Sequence, residues 1–435
     1  MTSASPTLEV IRPGDDRYER VRHVYSATGS PAAVVQPRDA RQVPEALAFA
    51  RAQKAPIAIR SGGHGISSIA TNDGGTVVDL SRLNRVEHLH GRRVRIGPGA
   101  RWGEVARALH PLGLALSSGD SGDVGVGGLA TSGGLGLLGR AHGLTIDHLV
   151  AAEIVTADGT QHRVSAQEDP ELFWALRGAG ANFGIVTAFE FDAVPTPDVA
   201  HASLTFLPPE LSGFLEQWGL TLEAAPREVS AFLYIAGSAV HATIVYARAD
   251  TTAASAALDP FAALPGLVGA QAQLVPYPEV PVATGAPHSG QQQLARTRTG
   301  LAVHLDRETS RRIADLVRSV DMVQIRSAGG AINDLPAEAT AYAHRHQNFS
   351  VTAVAAGPAR ALLDAAWRPV HERMDGMYLS FESDHTPAGV VEAFPEPTLG
   401  RLRALKAHWD PDRVFTQNFD LSAPGIDPAR TRASD

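Results

Sequence analysis

Cysteine is absent from the 435 residues of this sequence. Its absence excludes disulfide bonds, thiolate metal sites, cysteine nucleophiles and any bond between a cysteine and a cofactor. Positive charge is also in short supply, because 38 Lys and Arg residues stand against 46 Asp and Glu residues and leave a formal net charge of -8. Since proteins that bind the phosphate backbone of nucleic acids are usually basic, we expect no nucleic-acid partner.

Long hydrophobic runs are missing as well. No stretch approaches the roughly 20 apolar residues of a membrane span, and the first residues lack the basic-then-apolar pattern of a secretory signal. We therefore expect a cytoplasmic protein without a membrane partner. With 44% hydrophobic and 19% charged residues, the composition is that of a globular protein that buries its core without cross-links.

Glycine, in contrast, is concentrated in three clusters. Residues 117–143 contain ten of the 41 glycines, residues 60–65 contain three glycines around one histidine, and residues 177–182 form the third cluster. Glycine loses more backbone freedom on folding than other residues, so such clusters indicate a group that approaches the backbone closely. Consecutive N–H groups freed by glycine suit a phosphate or pyrophosphate. The clusters predict a dinucleotide cofactor, with tight surface turns as the alternative.

The largest cluster contains a formal G-x-G-x-x-A pattern at Gly125, Gly127 and Ala130. A dinucleotide fingerprint of that kind needs a strand directly before it and a helix directly after it. Polar residues precede this pattern and more glycines follow it, so its composition predicts neither element. We expect a backbone-lined groove instead of a Rossmann fold. No spacing matches a Walker loop, a zinc-binding H-E-x-x-H helix or a G-x-S-x-G elbow, and we expect no metal.

Hydrophobic periodicity predicts two α/β regions. In the first region the predicted strands are 31–36, 56–60, 76–80, 149–156 and 185–191, and the predicted helices are 43–52, 101–112 and 172–176. After residue 198 glycine thins out, and we predict helices near 208–224, 251–264 and 306–320 among strands near 201–206, 229–236, 239–247, 299–305, 322–326 and 348–355. A last helix is predicted at 398–408.

A series of short motifs also follows a recognisable order along nearly the whole chain. These segments are 31–37, 59–65, 73–80, 97–102, 124–128, 133–136, 151–159, 171–178, 182–186, Lys406 and 410–412. In this order they resemble the FAD-linked oxidases of the vanillyl-alcohol-oxidase/PCMH type. Within that family they are similar to the berberine-bridge-enzyme-like group, which includes bacterial 6-hydroxy-D-nicotine oxidase-like enzymes. The resemblance implies a two-domain α+β fold: an FAD-binding domain, residues 1–200 completed by 392–435, and a substrate-binding cap domain of antiparallel sheet plus helices, residues 201–391.

The same resemblance implies FAD attached covalently through His64. Many relatives add a second bond from a cysteine, but Ser121 stands at that position, so we expect a single bond. Val124 stands where a small residue goes with oxidases and a leucine with dehydrogenases, which implies access for oxygen. The cofactor-binding residues implied by the resemblance are Arg60, Ser61, Gly62, Gly63, His64, Gly65, Ser118, Gly119, Val124, Gly125, Gly128, Leu129, Ser132, Gly134, Gly136, Gly184, Val186 and Asn418.

Tyr378 is the first candidate on the substrate side. Residues 378–381 resemble a Tyr-x-Asn motif in which Ser380 replaces the asparagine. In some relatives this tyrosine lies near the flavin and acts as a base, which at neutral pH requires a positive neighbour or another influence that eases loss of its proton. The alternative is a half-buried tyrosine that serves packing.

Gln324 and Arg326 alternate on a predicted strand and so share one face. The resemblance places that sheet over the flavin, where Gln324 is a neutral contact and Arg326 recognises an anionic or phenolic substrate. The alternative is a pair that faces solvent. Met322 and Gln324 stand where nicotine oxidases have a lysine and a glutamate, so nicotine is not expected as substrate. His344 and Arg345 are expected to have a structural role.

The function implied is that of an FAD-dependent oxidase. It would transfer a hydride from a small organic alcohol or amine to FAD, with O2 as the acceptor that yields H2O2. One alternative is a flavoprotein that binds a planar small molecule without turnover, and another is a dehydrogenase with a different acceptor. The expected partners are the small-molecule substrate and O2, in a monomer or homodimer.

Overall fold

The computed structural model describes residues 7–196, 198–281 and 295–422. Its strands are β1 (Glu9–Ile11), β2 (Ala33–Gln36), β3 (Ile57–Arg60), β4 (Thr76–Asp79), β5 (Val86–His90), β6 (Arg93–Ile96), β7 (Leu149–Val155), β8 (Gln161–Ser165), β9 (Ile185–Asp192), β10 (Asp198–Phe206), β11 (Val229–Ala236), β12 (Ala239–Tyr246), β13 (Leu267–Pro276), β14 (Arg296–Ala302), β15 (Met322–Ser327) and β16 (Phe349–Ala355). Its helices are α1 (Tyr18–Val21), α2 (Val43–Ala52), α3 (Trp102–Leu109), α4 (Val126–Ser132), α5 (Gly139–His142), α6 (Pro170–Ala179), α7 (Leu211–Ala224), α8 (Thr251–Ala262), α9 (Arg307–Val317), α10 (Leu363–His371), α11 (Pro387–Ala393) and α12 (Thr398–Trp409). Within these ranges, no helix has both the length and the apolar character that a membrane crossing needs.

A four-stranded sheet, in the order β1-β2-β4-β3, is buried on both faces. Val34 and Val77 pack on one face, while Val35 and Val78 pack on the other against Leu47 of helix α2. Strands β2, β4 and β3 run parallel. Because neither face meets water, these strands are continuous apolar runs, which is the pattern of parallel strands in a layered fold.

A five-stranded antiparallel sheet, in the order β5-β6-β9-β7-β8, forms the second layer. Ile96 of β6 and Phe189 of β9 belong to a core that also contains Trp102 of α3, Leu172 of α6 and Leu399 of α12. Helix α12, more than 200 residues later in the chain than α6, therefore packs into the same core as the early helices. The chain end returns to the region where the chain begins.

A seven-stranded sheet, in the order β13-β10-β12-β11-β15-β16-β14, is antiparallel throughout. Leu233, Ile325 and Val351 belong to the core that this sheet forms with helices α7 to α10. Since neighbouring residues of a strand point to opposite faces, Gln324 and Arg326 lie on the face away from those helices. That alternation is what aims both polar side chains at the cavity described below.

The α+β organisation predicted from the sequence is confirmed, and α2 has the predicted bounds. One expectation is wrong, because residues 117–143 contain helices α4 and α5 although their glycine content predicted no helix. Several other elements were not predicted, namely β1, β5, β6, β8, β13, α1, α10 and α11. In β13 seven of ten residues are exposed, so its sequence shows no alternation. The strand expected near 299–305 lies at Arg296–Ala302. The division of the chain into two domains at the stated residues stays a prediction.

Lys406 holds the returning chain end in place. Its buried ammonium donates to the Asp410 carboxylate at 2.6 Å and to the carbonyls of Asn182 and Phe415 at 2.7 and 2.8 Å. These three acceptors come from the loop after α6, from the end of α12 and from the segment that follows it. One side chain therefore ties three separate stretches of chain together.

Replacing Lys406 with Met should lower the free energy of unfolding by about 3–5 kcal/mol, because it leaves a buried carboxylate without its counter-charge. Urea unfolding at pH 7 measures the change. Lys54, the other lysine of the chain, is exposed and provides the control, since Lys54→Met should change stability by no more than about 0.5 kcal/mol. Equal stability of the two variants would contradict the role given to Lys406.

Candidate functional site

A cavity of about 860 Å³ opens between the glycine-rich part of the chain and the seven-stranded sheet. All three glycine clusters line it, together with strands β15 and β16, residues 378–381 and the segment around Gln417. Small-molecule sites usually measure about 300–1,000 Å³, so this one is at the large end. It is assembled from parts of the chain that lie hundreds of residues apart.

Two glycine loops meet at one wall of the cavity. We call residues 61–65 the first glycine loop and residues 119–128 the second glycine loop. A Cβ added at Gly62 would lie 2.5 Å from the backbone nitrogen of Gly125, and a Cβ added at Gly125 would overlap the backbone of Gly62. Each position requires glycine because the two backbones are in direct contact.

Ser61 strengthens this contact with two hydrogen bonds. Its hydroxyl donates to the carbonyl of Pro98 at 2.6 Å and accepts from the N–H of Gly127 at 3.1 Å. Gly127 belongs to the first turn of α4, so the helix begins where the first glycine loop holds it. The helix that the composition did not predict is therefore stabilised by tertiary contacts, which outweigh the low helix propensity of glycine.

The residues around the cavity fit a cofactor that approaches the main chain. A Cβ added at Gly128 would meet no atom within 4 Å, and one added at Gly119 would meet only a Leu129 methyl at 3.6 Å. Both glycines line the cavity, so side chains there would occupy its space. The buried Oδ1 of Asn418 has no hydrogen-bond partner among the described residues, while its Nδ2 donates to two carbonyls. An unpartnered acceptor at a cavity wall is suited to a donor on a bound molecule.

His64 lines the cavity from the first glycine loop. Its ring stacks on Tyr25, with the ring centroids 4.0 Å apart and the planes 16° from parallel. The N–H of Tyr25 also donates to the carbonyl of Gly63 at 2.8 Å. Tyr25 therefore contacts the first glycine loop through both its ring and its N–H, and the imidazole lies at the wall of the cavity.

Most residues predicted to contact the cofactor line the cavity. They are Ser61, Gly62, Gly63, His64, Gly65, Gly119, Val124, Gly125, Gly128, Leu129, Ser132, Gly184, Val186 and Asn418. The candidates on the substrate side, Tyr378, Gln324 and Arg326, line it as well. The structure thus brings the two predicted groups to one space, while their roles stay predictions.

Arg60 and Ser118 do not line the cavity, contrary to expectation. The guanidinium of Arg60 forms a buried ion pair with Asp79 at 2.8 Å and donates to the carbonyl of Val21 at 2.6 Å. The Ser118 hydroxyl is buried and lies 3.5 Å from the hydroxyl of Tyr277. Ile57 and Ile59 of β3 line the cavity, and because strand residues alternate between faces, Arg60 lies on the opposite face.

Gly134 and Gly136 are also outside the cavity lining, and packing explains both. Gly134 has a left-handed φ of +86°, and an added Cβ would overlap the Thr145 side chain. A Cβ at Gly136 would overlap the carbonyl of Ser118. Both glycines serve close packing of the protein against itself.

The sequence analysis assigned no role to several cavity residues, among them Asp120, Phe381 and Tyr25. Asp120 and Phe381 lie inside motifs that the analysis singled out, and an acid within a glycine cluster is a signal that would have identified Asp120. Tyr25 belongs to a segment without a pattern, so the sequence offered no signal for it.

Arg326 is paired, not exposed. Its guanidinium donates to Asp120 Oδ2 at 3.1 Å and to Gln324 Oε1 at 2.7 Å, and its Cζ lies 3.9 Å from the ring centroid of Phe381. Tyr234 donates to the same Asp120 oxygen at 2.5 Å. Burial alone would raise the pKa of Asp120, but Arg326 and Tyr234 outweigh it and leave that pKa below its usual value. The alternative of a pair facing solvent is therefore excluded for Arg326, which is 4% exposed.

Tyr378 is buried at the cavity wall, where its hydroxyl accepts a hydrogen bond from the N–H of Gly134 at 2.9 Å. Its ring packs edge-on against Tyr342 and Phe381. The Ser380 hydroxyl lies 2.8 Å from that of Ser132 at the end of α4. Ser380, which stands at the asparagine position of the motif, is therefore within hydrogen-bond distance of helix α4.

The segment that carries Tyr378 docks on the edge of the seven-stranded sheet through its next residues. Ser383 Oγ accepts from the N–H of Thr297 at 3.0 Å, and Glu382 Oε2 accepts from the N–H of Thr299 at 3.1 Å. Arg298, between them on edge strand β14, pairs with Glu382 at 2.8 Å. Two side chains thus take the place of a further strand on β14, which satisfies N–H groups that an edge strand leaves unpaired.

Glu382 is nearly fully buried in this arrangement. Burial raises its pKa to about 7, against the opposing effects of Arg298 and of N–H donors from Asp384 and Thr299. The raised pKa means that the folded protein retains a proton on Glu382 that the unfolded chain loses near the ordinary value for glutamate.

His344 and Arg345 have the structural role that was expected. Arg345 binds both carboxylate oxygens of Asp147, at 2.9 and 2.8 Å, and both side chains are buried. His344 Nε2 lies 3.1 Å from the carbonyl of Ala393, and burial lowers the pKa of this imidazole. Neither residue lines the cavity.

Comparison with known proteins agrees with this geometry. Residues 31–165 match a family described as "FAD binding domain". The chain is similar to (R)-6-hydroxynicotine oxidase of Paenarthrobacter nicotinovorans, with 37% identity over 214 residues that cover 48% of this chain and 46% of that enzyme. The matched region thus spans about half the length of this curated relative.

Solved structures extend the similarity in fold to almost the whole chain. The structure of 6-hydroxy-D-nicotine oxidase from Arthrobacter nicotinovorans has a TM-score of 0.83 at 26% identity and covers 97% of this chain and 99% of its own. Glucooligosaccharide oxidase from Acremonium strictum, whose FAD is described as 6-S-cysteinyl, 8α-N1-histidyl, has a TM-score of 0.84 at 23% identity and covers 96% of this chain and 98% of its own. These similarities confirm the resemblance to FAD-linked oxidases and the PCMH-type fold, with the match to an FAD-binding domain at residues 31–165.

Gly128→Ala and Gly125→Ala should separate cofactor binding from folding. Alanine at Gly128 projects into the cavity and should lower the FAD bound per chain, with apoprotein stability changed by no more than about 0.5 kcal/mol. Alanine at Gly125 overlaps the first glycine loop and should cost about 1–3 kcal/mol of stability. Flavin absorbance per protein and urea unfolding of the apoprotein measure the two effects. Full FAD content in Gly128→Ala would contradict the proposed approach of the cofactor.

The raised pKa of Glu382 predicts that stability falls as pH rises from about 4.5 to about 7, because only the folded state keeps the proton in this range. The contribution is fully present below the lower value and lost above the upper one, with a slope of at most about 1.4 kcal/mol per pH unit. Glu382→Gln removes it. From about pH 4.5 to about pH 7, the unfolding free energy of the wild type should therefore fall relative to that of the variant. If the two unfolding free energies change with pH in parallel, the assignment to Glu382 is refuted.

Proposed function

We propose that this protein is an FAD-dependent oxidase that carries FAD covalently on His64 and oxidises a small organic alcohol or amine. The observation that carries the proposal is a single large cavity that His64 lines from one side and Tyr378 and Gln324 line from another. The FAD-binding domain matched at residues 31–165 supports the choice of cofactor. The names of the relatives support oxidase activity.

Residues of the two glycine loops would hold FAD by their backbones, with Gly119 and Gly128 leaving room for it and Asn418 accepting a hydrogen bond from it. When bound, FAD would supply the redox chemistry, that is, acceptance of a hydride from the substrate and reduction of O2 by two electrons and two protons to H2O2. Tyr25 orients the His64 ring by stacking. The proposal of one covalent bond rests on the absence of cysteine, because the glucooligosaccharide oxidase has a cysteinyl bond in addition to the histidyl bond.

Tyr378, in its phenolate form, is the proposed acceptor of the proton that leaves the substrate O–H or N–H and becomes a neutral tyrosine in doing so. The N–H of Gly134 fixes its hydroxyl oxygen at 2.9 Å, and two aromatic neighbours fix its ring, so the oxygen has a defined position. Gln324 contacts the substrate as a neutral group. Arg326 orients Gln324 by donating to its amide oxygen. Val124 lines the cavity, and the resemblance associates a small residue at this position with access of O2.

His64→Ala tests the attachment. The intact mass of acid-denatured wild type should exceed the mass of the chain by one FAD, and His64→Ala should lose that addition. His88→Ala, in an exposed strand away from the cavity, is the control and should keep it. Release of free FAD from denatured wild type would contradict a covalent bond.

Peroxide release tests the activity. Purified holoprotein is mixed with a panel of alcohols and amines in air, and H2O2 is measured together with the flavin spectrum. Substrate-dependent H2O2 supports the oxidase. Reduction of the flavin with slow reoxidation by air would point to a dehydrogenase with another acceptor, and binding without reduction would point to a protein that sequesters its ligand.

A further inference from the structure

The charge on Arg326 is already neutralised inside the protein. Its two terminal nitrogens donate to Asp120 and Gln324, and Phe381 lies against the guanidinium. The guanidinium side chain is 4% exposed, whereas the side chain of Asp120 is 27% exposed. Both residues line the cavity, so the part of this ion pair that a ligand meets is the carboxylate.

Gln324 presents a donor beside that carboxylate. Because its Oε1 accepts from Arg326 at 2.7 Å, the amide is held in one orientation and its Nε2 is the group left for a ligand. Nε2 has no hydrogen-bond partner among the residues that the structure describes. The cavity therefore offers an anionic acceptor at Asp120 and a neutral donor at Gln324.

Few other charged groups line the cavity. Among the described residues that line it, the formally charged side chains other than His64 are Asp120, Asp123 and Arg326, and Arg326 is the one whose side chain is covered by its neighbours. An anionic ligand would meet repulsion and would find the guanidinium covered. A cationic ligand would meet a carboxylate that Tyr234 and Arg326 hold in the ionised form.

We infer that the substrate is a small organic amine, whose protonated nitrogen binds Asp120 while an acceptor atom of the same molecule binds Gln324. The inference rests on the proposed function and narrows its substrate class from alcohols or amines to amines. It also replaces the expectation that Arg326 recognises an anionic or phenolic group. Asp120, which no motif assigned, becomes the residue that determines specificity.

Three aromatic probes test this preference by binding alone. 2-Phenyl-2-propylamine, 2-phenyl-2-propanol and benzoate are respectively cationic, neutral and anionic at neutral pH, and none has the α-hydrogen whose transfer would start turnover. Each is titrated into FAD-containing holoprotein by calorimetry at pH 7. The amine should bind at least about tenfold more tightly than benzoate, given a carboxylate within contact distance in a partly buried site.

Asp120→Asn should remove the difference between the amine and benzoate. Tyr234→Phe is the matched control, since it deletes one hydrogen bond to Asp120 but keeps its charge, and it should keep the preference for the amine. If Asp120→Asn fails to fold because Arg326 is left unpaired, the double variant Asp120→Asn with Arg326→Gln removes both charges and should bind the amine and benzoate equally.

Two results would overturn the inference. One is benzoate binding to wild-type holoprotein as tightly as the amine, and the other is an unchanged preference in a folded Asp120→Asn or double variant. Either result leaves the proposed oxidase intact, because the protein still contains FAD. A purified protein without FAD would instead remove the proposed function itself.

Discussion

Direct contact between the backbones of Gly62 and Gly125 is the constraint on which the rest of the site depends. Without side chains between them, the two glycine loops meet, and α4 begins at that point of contact. The adjacent cavity wall is therefore main chain, which is polar yet takes little space. A wall of that kind suits a large flat group with phosphates better than a wall of side chains would.

Buried polar contacts of two basic side chains position other parts of the cavity wall. Arg326 on β15 pairs with Asp120 in the second glycine loop, which joins the seven-stranded sheet to the cofactor side. Lys406 binds Asp410 and two carbonyls, and so positions the segment that carries Asn418. Buried pairs contribute little net stability because desolvation offsets their attraction. Their effect here is on position, since a displaced partner would leave a charge unpaired.

The local pattern of apolar residues was sufficient to predict a helix or strand where that element buries one of its own faces. Helix α2 has apolar residues at helical spacing and was predicted with its observed bounds, and β4 ended within one residue of its expected end. The pattern failed for α4, which is glycine-rich, and for β13, which is mostly exposed. Contacts with the first glycine loop stabilise α4, and pairing with β10 stabilises β13. Neither interaction produces a periodic pattern of apolar residues in the sequence.

Composition by itself determined that this sequence can form no cysteinyl bond, and the order of its motifs was enough to predict the class of fold and a dinucleotide cofactor through their resemblance to a known family. Only the tertiary structure decided which glycines face the cavity and which merely pack, since Gly128 and Gly136 are chemically the same residue in different surroundings. It also decided that Arg326 is covered and Asp120 exposed. The effect of a charged side chain depends on the group that lies beside it in the fold, and Arg326 and Asp120 lie more than 200 positions apart in the sequence.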